Sequence, residues 1–450
     1  MKYDLIIIGS GPAGYVAAIR AGQTGLKTAI IEKTDIGGMC LNWGCIPSKA
    51  LIESAKLYNR IISDSAKFGI DGIDKKNVRF NYPNAARRAK TIVTRLTKGV
   101  EFLLKKNGVE IIRAEASILS ANVVLAENRK LETQNIIIAT GTKFPKIAVD
   151  PENILIDIRN LFTDREIPEN IVVAGQDAVC IEMAQMFASI GKNVTVALPG
   201  ERFMPLADEY LSNYMFSVFK KEKIHVVRNI DFNSPLQVKE KTLTFGAETV
   251  KCDALINALP RTGVIPAHEI DLETENGFLK TDEDCQTPVA GIYAVGDVNG
   301  KSHFAHVASA QGLHVVNLIK GIKHKLDLKK YPINMYSNPE MSQIGSTEAE
   351  LKEQNTDYKI SEFPISANGK AMTEGNAEGF IRILSEKKFG EVLGVQIVAQ
   401  HATDMIAEAA AFMQLESTIY DVAQTVHAHP TVSEIFMEAG FEGIDGAIHK

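Results

Sequence analysis

Short, wholly apolar runs that stop abruptly at a glycine recur along this chain. Leu5 to Ile8 runs into Gly9; an Ala-rich segment continues to about Gly25, and a second apolar run, Thr28 to Ile31, ends at Glu32. Runs of this kind, apolar on both faces, predict buried parallel strands, and the Ala-rich segment between them predicts the crossover helix of a βαβ unit. The same order returns where Ile171 to Ala174 meets Gly175, passes through an apolar helical stretch to Ile190 and ends in a strand from Val194 to Ala197. A separation of about 165 residues points to two separate dinucleotide domains. Between and beyond them, Asn135 to Ile138 closes on Ala139-Thr140-Gly141, and Ile292 to Val295 closes on Gly296-Asp297. In the last quarter the pattern changes. Strands near Gly379 to Leu384 and Val392 to Val398 precede helices from Ala402 and from Ser433, which predicts a third domain with a mixed sheet.

Composition and charge act mainly by exclusion. With 450 residues the chain is expected to hold two or three packed domains, and a formal charge of −6 offers nothing to attract nucleic acid or an anionic membrane. The first apolar run is too short for a signal-peptide core or a membrane span. Five cysteines (40, 45, 180, 252 and 285) are too few, and odd in number, for a secreted disulfide framework. They suit a cytoplasmic chain with one special pair, and no clustered His or Cys pattern predicts a metal site.

The spacing Gly9-x-Gly11-x-x-Gly14 supplies a tight turn, close backbone approach and helix packing, the requirements for seating a pyrophosphate on a helix N-terminus. Glu32, about 20 residues on, stands where an acid holds a ribose hydroxyl pair. The segment Gly37-Gly38-Met39-Cys40-Leu41-Asn42-Trp43-Gly44-Cys45-Ile46-Pro47-Ser48-Lys49 follows directly. Its two cysteines can be bridged if the intervening turn is tight, and Gly44 helps such a turn. Pro47 belongs in a first helical turn, which sets Cys45 near a helix N-terminus, a position that stabilises a thiolate.

With that segment the chain resembles the FAD-dependent pyridine nucleotide-disulfide oxidoreductases, and among them the dihydrolipoamide dehydrogenases, where a Thr is usual in place of Met39. Ala139-Thr140-Gly141 and Tyr293-Ala294-Val295-Gly296-Asp297 resemble that family's second and third FAD motifs. Ala305-His306-Val307-Ala308-Ser309-Ala310-Gln311-Gly312 resembles its next motif, with Gln311 where a Glu is usual. The resemblance implies FAD binding by Gly9, Gly11, Gly14, Glu32, Gly38, Thr140, Gly141, Asp297 (as ligand of the flavin chain) and Ala305. It implies Lys49 and Glu182 beside the flavin on its nicotinamide side. His427-Ala428-His429-Pro430-Thr431-Val432-Ser433-Glu434 resembles the family's base motif, so His429 is expected to take the substrate thiol's proton and Glu434 to orient it. In the family this pair reaches the disulfide of the other subunit, which implies a homodimer.

The implied fold is α/β, with two Rossmann-like dinucleotide-binding domains and a C-terminal α+β dimerisation domain. The expected limits are 1–145 and 261–332 for the FAD-binding parts, 146–260 for an NAD-binding-like domain and 333–450 for dimerisation.

The second glycine motif departs from the family. Gly175, Asp177 and Cys180 occupy the three glycine positions, and Leu198 stands where the acid for the NAD ribose is expected. Ala178 replaces the larger residue that covers the flavin face, and Ala258 to Val264 matches the family's glycine, arginine and proline pattern loosely. Three readings follow. The first is a dithiol oxidoreductase acting on protein-bound dihydrolipoamide through Cys40, Cys45 and FAD, with NAD as default acceptor. The second gives the electrons to a non-nicotinamide acceptor. The third is a regulatory flavoprotein partner of a lipoyl-bearing complex. The eroded motif predicts ready reduction by a dithiol and poor reduction by NADH.

Overall fold

The computed structural model describes residues 2–246, 248–323, 326–328 and 330–450. They form two compact units, one from residues 1–171, 232–244 and 251–326, the other from 172–231, 245–250 and 327–450.

In the first unit run β1 (Lys2–Ile8), α1 (Pro12–Gln23), β2 (Thr28–Glu32), α2 (Gly38–Asn42), α3 (Cys45–Ser63), α4 (Tyr82–Lys106), β3 (Glu110–Arg113) and a meander of β4 (Ala116–Ser120), β5 (Val123–Ala126) and β6 (Arg129–Ile138). β1 pairs in parallel with β2 and β6, β2 with β3, and the strand Ile292–Ala294 with β6. Leu5, Ile6, Ile7, Ile136 and Ile137 are wholly buried, as strands covered on both faces require. The Ala-rich face of α1 is explained by the helix Ala305–Ile319 packed against it. A side chain at Gly312 would put its Cβ 2.5 Å from the Ala13 carbonyl oxygen, so only small residues permit the approach.

In the second unit α5 (Ala178–Ser189) follows the strand Asn170–Gly175 and leads to the strand Asn193–Ala197, which pairs in parallel with His225–Val227. The C-terminal sheet has the order Ile333–Met335, Glu340–Gly345, Val392–Ala399, Phe380–Glu386, Tyr358–Pro364. All four of its pairings are antiparallel. This corrects the expected mixed sheet: short turns join Ile333–Met335 to Glu340–Gly345 and Phe380–Glu386 to Val392–Ala399, and the longer connections between the other neighbours also return the chain antiparallel. The helices Ala402–Gln414 and Ile435–Glu442 bury Ile406, Ala409 and Phe436 with Ile381, Ile383 and Ile397 of the sheet. A short 3₁₀ turn, Val432–Glu434, precedes the second helix where Ser433 was expected to begin it.

Candidate active site

The first glycine turn is built as its spacing demands. Gly9 has φ +99°, and a Cβ there would lie 2.3 Å from the Ala139 carbonyl oxygen; one at Gly14 would lie 2.0 Å from the Gly9 oxygen. Gly11 is the N-cap of α1 and contributes no side chain, and its Cβ direction is open for 4 Å. The helix N-terminus, which favours an anion, is therefore free of any protein side chain from its cap. Glu32 lies across this turn, its carboxylate accepting from the Ser10 N–H (2.9 Å) and hydroxyl (2.7 Å) and from the Thr34 N–H (2.9 Å) and hydroxyl (3.1 Å). Gly38 (φ +58°) packs against Gly11, within 2.7 Å of whose Cα a Cβ would fall, so the loop carrying the cysteines rests on the nucleotide turn.

Cys40 lies in α2 and Cys45 is the first residue of α3, with Gly44 as its N-cap. A side chain on Gly44 would approach the Met39 oxygen to 2.9 Å, which is why the turn between the cysteines needs a glycine. No disulfide bond joins the two sulfurs here. The Cys40 thiol is held far above its ordinary range by its hydrogen bond to Cys45, then by burial, while the Lys49 ammonium pulls the other way. Cys40 thus keeps its proton and donates it toward Cys45, whose position at the start of a helix suits a thiolate. Tyr15 also lies beside the pair. Burial above all raises its phenol.

Thr140 Oγ1 donates to the Val264 carbonyl, and Val264 N–H donates to the Gly141 oxygen (2.9 Å). Asp297 accepts from Arg261 Nη1 (2.9 Å) and from the Thr142 hydroxyl (3.2 Å). The same Arg261 nitrogen lies 3.2 Å from Met39 Sδ, so one guanidinium links the residue beside Cys40 to the acid of the third FAD motif. Burial, and then Arg261, lowers the pKa of His303 below 6.5, against an opposing pull from Asp297. Gln311, wholly buried, accepts from the Gly296 N–H (2.7 Å) and from Asn299 Nδ2 (3.1 Å). Gln311 Nε2 and Arg261 Nε are buried donors with no acceptor among the described residues. With the open Gly11 terminus, this donor-rich region fits a polar, phosphate-bearing cofactor such as FAD. Ala305 opens the helix on which Gln311 sits.

The second glycine motif is built differently. Asp177 is the N-cap of α5, and its Oδ1 accepts from the N–H groups of Val179 (3.1 Å) and Cys180 (3.5 Å). Leu198 is wholly buried, its N–H donating to the Val227 oxygen and its own oxygen accepting from Ile230. These residues do not fit a dinucleotide pyrophosphate and ribose as the first motif's do. Glu182 is buried on α5 and accepts from the Tyr336 N–H (3.1 Å).

His429 Nδ1 lies 2.9 Å from Glu434 Oε1, and the imidazole is 82% exposed. Burial pushes the Glu434 carboxyl up. The Thr431 N–H and His429 outweigh this and hold it below the ordinary value. His427, which the motif had not singled out, is buried against Glu408 (2.6 Å) and stacked on Phe436, anchoring the loop that presents His429. Its alternation with His429, one inward and one outward, was the available signal. Cys180, Cys252 and Cys285 are buried, and burial raises all three thiols, Cys252 to about 12 and Cys285 to about 11. Among the described residues there is no cluster able to hold a metal ion, and no helix long and apolar enough to cross a membrane.

Comparison with known proteins shows the family. The family model described as pyridine nucleotide-disulphide oxidoreductase matches residues 3–312, and that of the family's dimerisation domain matches 331–440. A dihydrolipoyl dehydrogenase of Bacillus subtilis is 35% identical, spanning 100% of this chain and 99% of its own. The mitochondrial dihydrolipoyl dehydrogenase of Pisum sativum is 34% identical over 99% and 92%. Among solved structures, LpdA from Mycobacterium tuberculosis superposes with a TM-score of 0.86 at 23% identity, over 97% of this chain and 99% of its own. The HOCl-induced flavoprotein disulfide reductase RclA from Escherichia coli does so at 0.84 and 22%, over 96% and 98%. These last two bear on the fold alone.

Proposed function

The chain belongs to the pyridine nucleotide-disulphide oxidoreductase family, and from that membership we propose that it oxidises a dithiol, protein-bound dihydrolipoamide or a small analogue, through Cys40, Cys45 and FAD. The observation that carries this reading is the thiol pair itself, with Cys40 donating to Cys45 at the head of a helix beside Lys49.

From the oxidised pair, a substrate thiolate bonds to the Cys40 sulfur as the Cys40–Cys45 bond breaks, and Cys45 leaves as a thiolate that the helix terminus favours. His429 takes the proton of the attacking substrate thiol and returns it to Cys40 as the second substrate sulfur, its own proton lost to solvent, displaces that sulfur. The substrate departs as a disulfide and the chain retains a dithiol. Because Glu434 engages Nδ1 of His429, Nε2 is the nitrogen left to accept that proton. FAD, when bound, supplies the two-electron acceptor that returns the pair to its disulfide. The dimerisation-domain match supports a homodimer, and in this reading His429 serves the thiol pair of the second copy. A lipoyl-bearing partner and a cytoplasmic location belong to the same proposal. The family's acceptor is NAD(H), and the relatives favour neither a non-nicotinamide acceptor nor a purely regulatory role.

Anaerobic titration of the purified flavoprotein with dihydrolipoamide tests the reading: the visible flavin spectrum should change stoichiometrically, and Cys45→Ser should abolish the response. A wild-type flavin indifferent to every dithiol, or an unaltered response in Cys45→Ser, would overturn it.

A further inference from the structure

NAD(H) is the family's acceptor, yet the helix terminus that a dinucleotide's pyrophosphate needs is occupied here from within. We propose that Asp177 is a specificity-determining residue of the second nucleotide motif, an internal anion that a bound dinucleotide must displace, so that this chain binds NAD(H) weakly. The inference deepens the dithiol–FAD reading and rests on it for the role of the nucleotide as electron acceptor.

Three observations within the second unit carry it. The first is the cap. In α1 the corresponding residue is Gly11, with no side chain and open space ahead of it, whereas in α5 the Asp177 carboxylate accepts from Val179 and Cys180. Those are the first-turn N–H groups that hold phosphate oxygens in a motif of this kind. Displacing the carboxylate forfeits its hydrogen bonds, and leaving it nearby sets like charges together.

The second is Leu198, at the end of the strand that should present an acid to the ribose. It is wholly buried, and both its backbone groups are engaged, by Val227 and Ile230. A leucine there accepts nothing from a ribose hydroxyl. The third concerns a 2′-phosphate, which would need a guanidinium nearby. Arg202 donates to the Pro205 carbonyl, and Arg228 lies over the Phe216 ring, 3.9 Å from its centroid. Each of these guanidiniums already has a partner within the unit. Cys180 keeps the helix packed in place of the third glycine, so the unit retains its fold while its ligand contacts change.

The test uses the purified holoprotein and two probes. ADP-ribose, which carries the pyrophosphate and ribose but no reactive ring, is titrated by calorimetry. NADH is mixed anaerobically and followed through the flavin spectrum. Wild type should bind ADP-ribose weakly and show no saturation by NADH in the micromolar range. Asp177→Gly should tighten ADP-ribose binding by about tenfold or more, the scale of a lost cap plus a removed like charge. Asp177→Asn keeps the cap and drops the charge, so it should fall between, and as an equally good N-cap it guards against a variant that fails to fold. Asp177→Gly with Leu198→Glu should bind ADP-ribose more tightly still. Micromolar saturation of the wild type by NADH, or unchanged ADP-ribose affinity in both single variants, would overturn the proposal. A flavin that no dithiol reduces would instead defeat the catalytic reading, while the ADP-ribose series would still decide the role of Asp177.

Discussion

The two nucleotide motifs of this chain share one architecture and differ at their helix caps. In the first, a glycine cap leaves the terminus of α1 open, with Glu32 held across the turn. In the second, an aspartate cap fills the terminus of α5, and a buried leucine stands where an acid would. The strand, helix and strand survive in both. The fold depends on apolar runs and small residues, which both motifs keep. Binding depends on a few positions with no side chain or a particular one, and these change without cost to the fold. In fact an Asp cap stabilises a helix better than glycine does, by up to a few tenths of a kcal/mol.

The largest expected effect tests whether the chemistry stands apart from the second motif. His429→Gln should lower dithiol turnover by about two to four orders of magnitude, with flavin content and ADP-ribose affinity unchanged. Steady-state kinetics beside the flavin absorbance decide it, and normal turnover would remove His429 from the reaction.

Next in size is the mirror substitution. Gly11→Asp carries the second motif's cap into the first, at an extended position that an aspartate adopts easily and where its Cβ meets nothing. FAD affinity should fall by about a hundredfold or more, as several phosphate contacts are lost or opposed, and the protein should purify pale but folded. Full flavin occupancy would break the comparison at its root.

A smaller change sharpens it. Arg261→Met removes the partner of Asp297, whose side chain is 18% exposed, and should weaken FAD retention by about tenfold, roughly one charged hydrogen bond. Flavin release on dilution measures this. Retention equal to wild type would show that Asp297 needs no cation beside it.

The smallest effect concerns pH. The Glu434 carboxyl is held below its ordinary value of 4.5, so its contribution to stability is fully present above that value and is lost as pH falls through the depressed one. Glu434→Gln should flatten this part of the Tm–pH curve by no more than a few degrees, and an unchanged acid limb would mean that the carboxylate's contacts with Thr431 and His429 contribute nothing there.

Much of this was legible because glycine spacing and apolar runs are local signals. The turn at Gly9 and the helix beginning at Cys45 could be read from residues close in sequence, and the Glu434–His429 pair from the resemblance of its segment to the family's base motif. What escaped depends on distant partners. Met39 was visibly unusual, but Arg261, 222 residues away, could not be matched to it by any periodicity. The 25-residue helix α4 carries no motif and drew no expectation, although its Asn81 cap and the Pro83 behind it are ordinary start signals. The C-terminal sheet was assigned the wrong pairing because strand direction is set by what lies between strands, and alternation within a strand is blind to it.

The burial of Cys180, Cys252 and Cys285 has an analytical consequence. Their raised thiols and inaccessible sulfurs make them slow toward an alkylating reagent while the chain stays folded. Any label taken up by the native protein then falls on Cys40 or Cys45, and intact mass after a brief exposure becomes a direct gauge of oxidation state. Unshifted mass would report the closed pair, and added mass the open one, with no need to mutate the background cysteines.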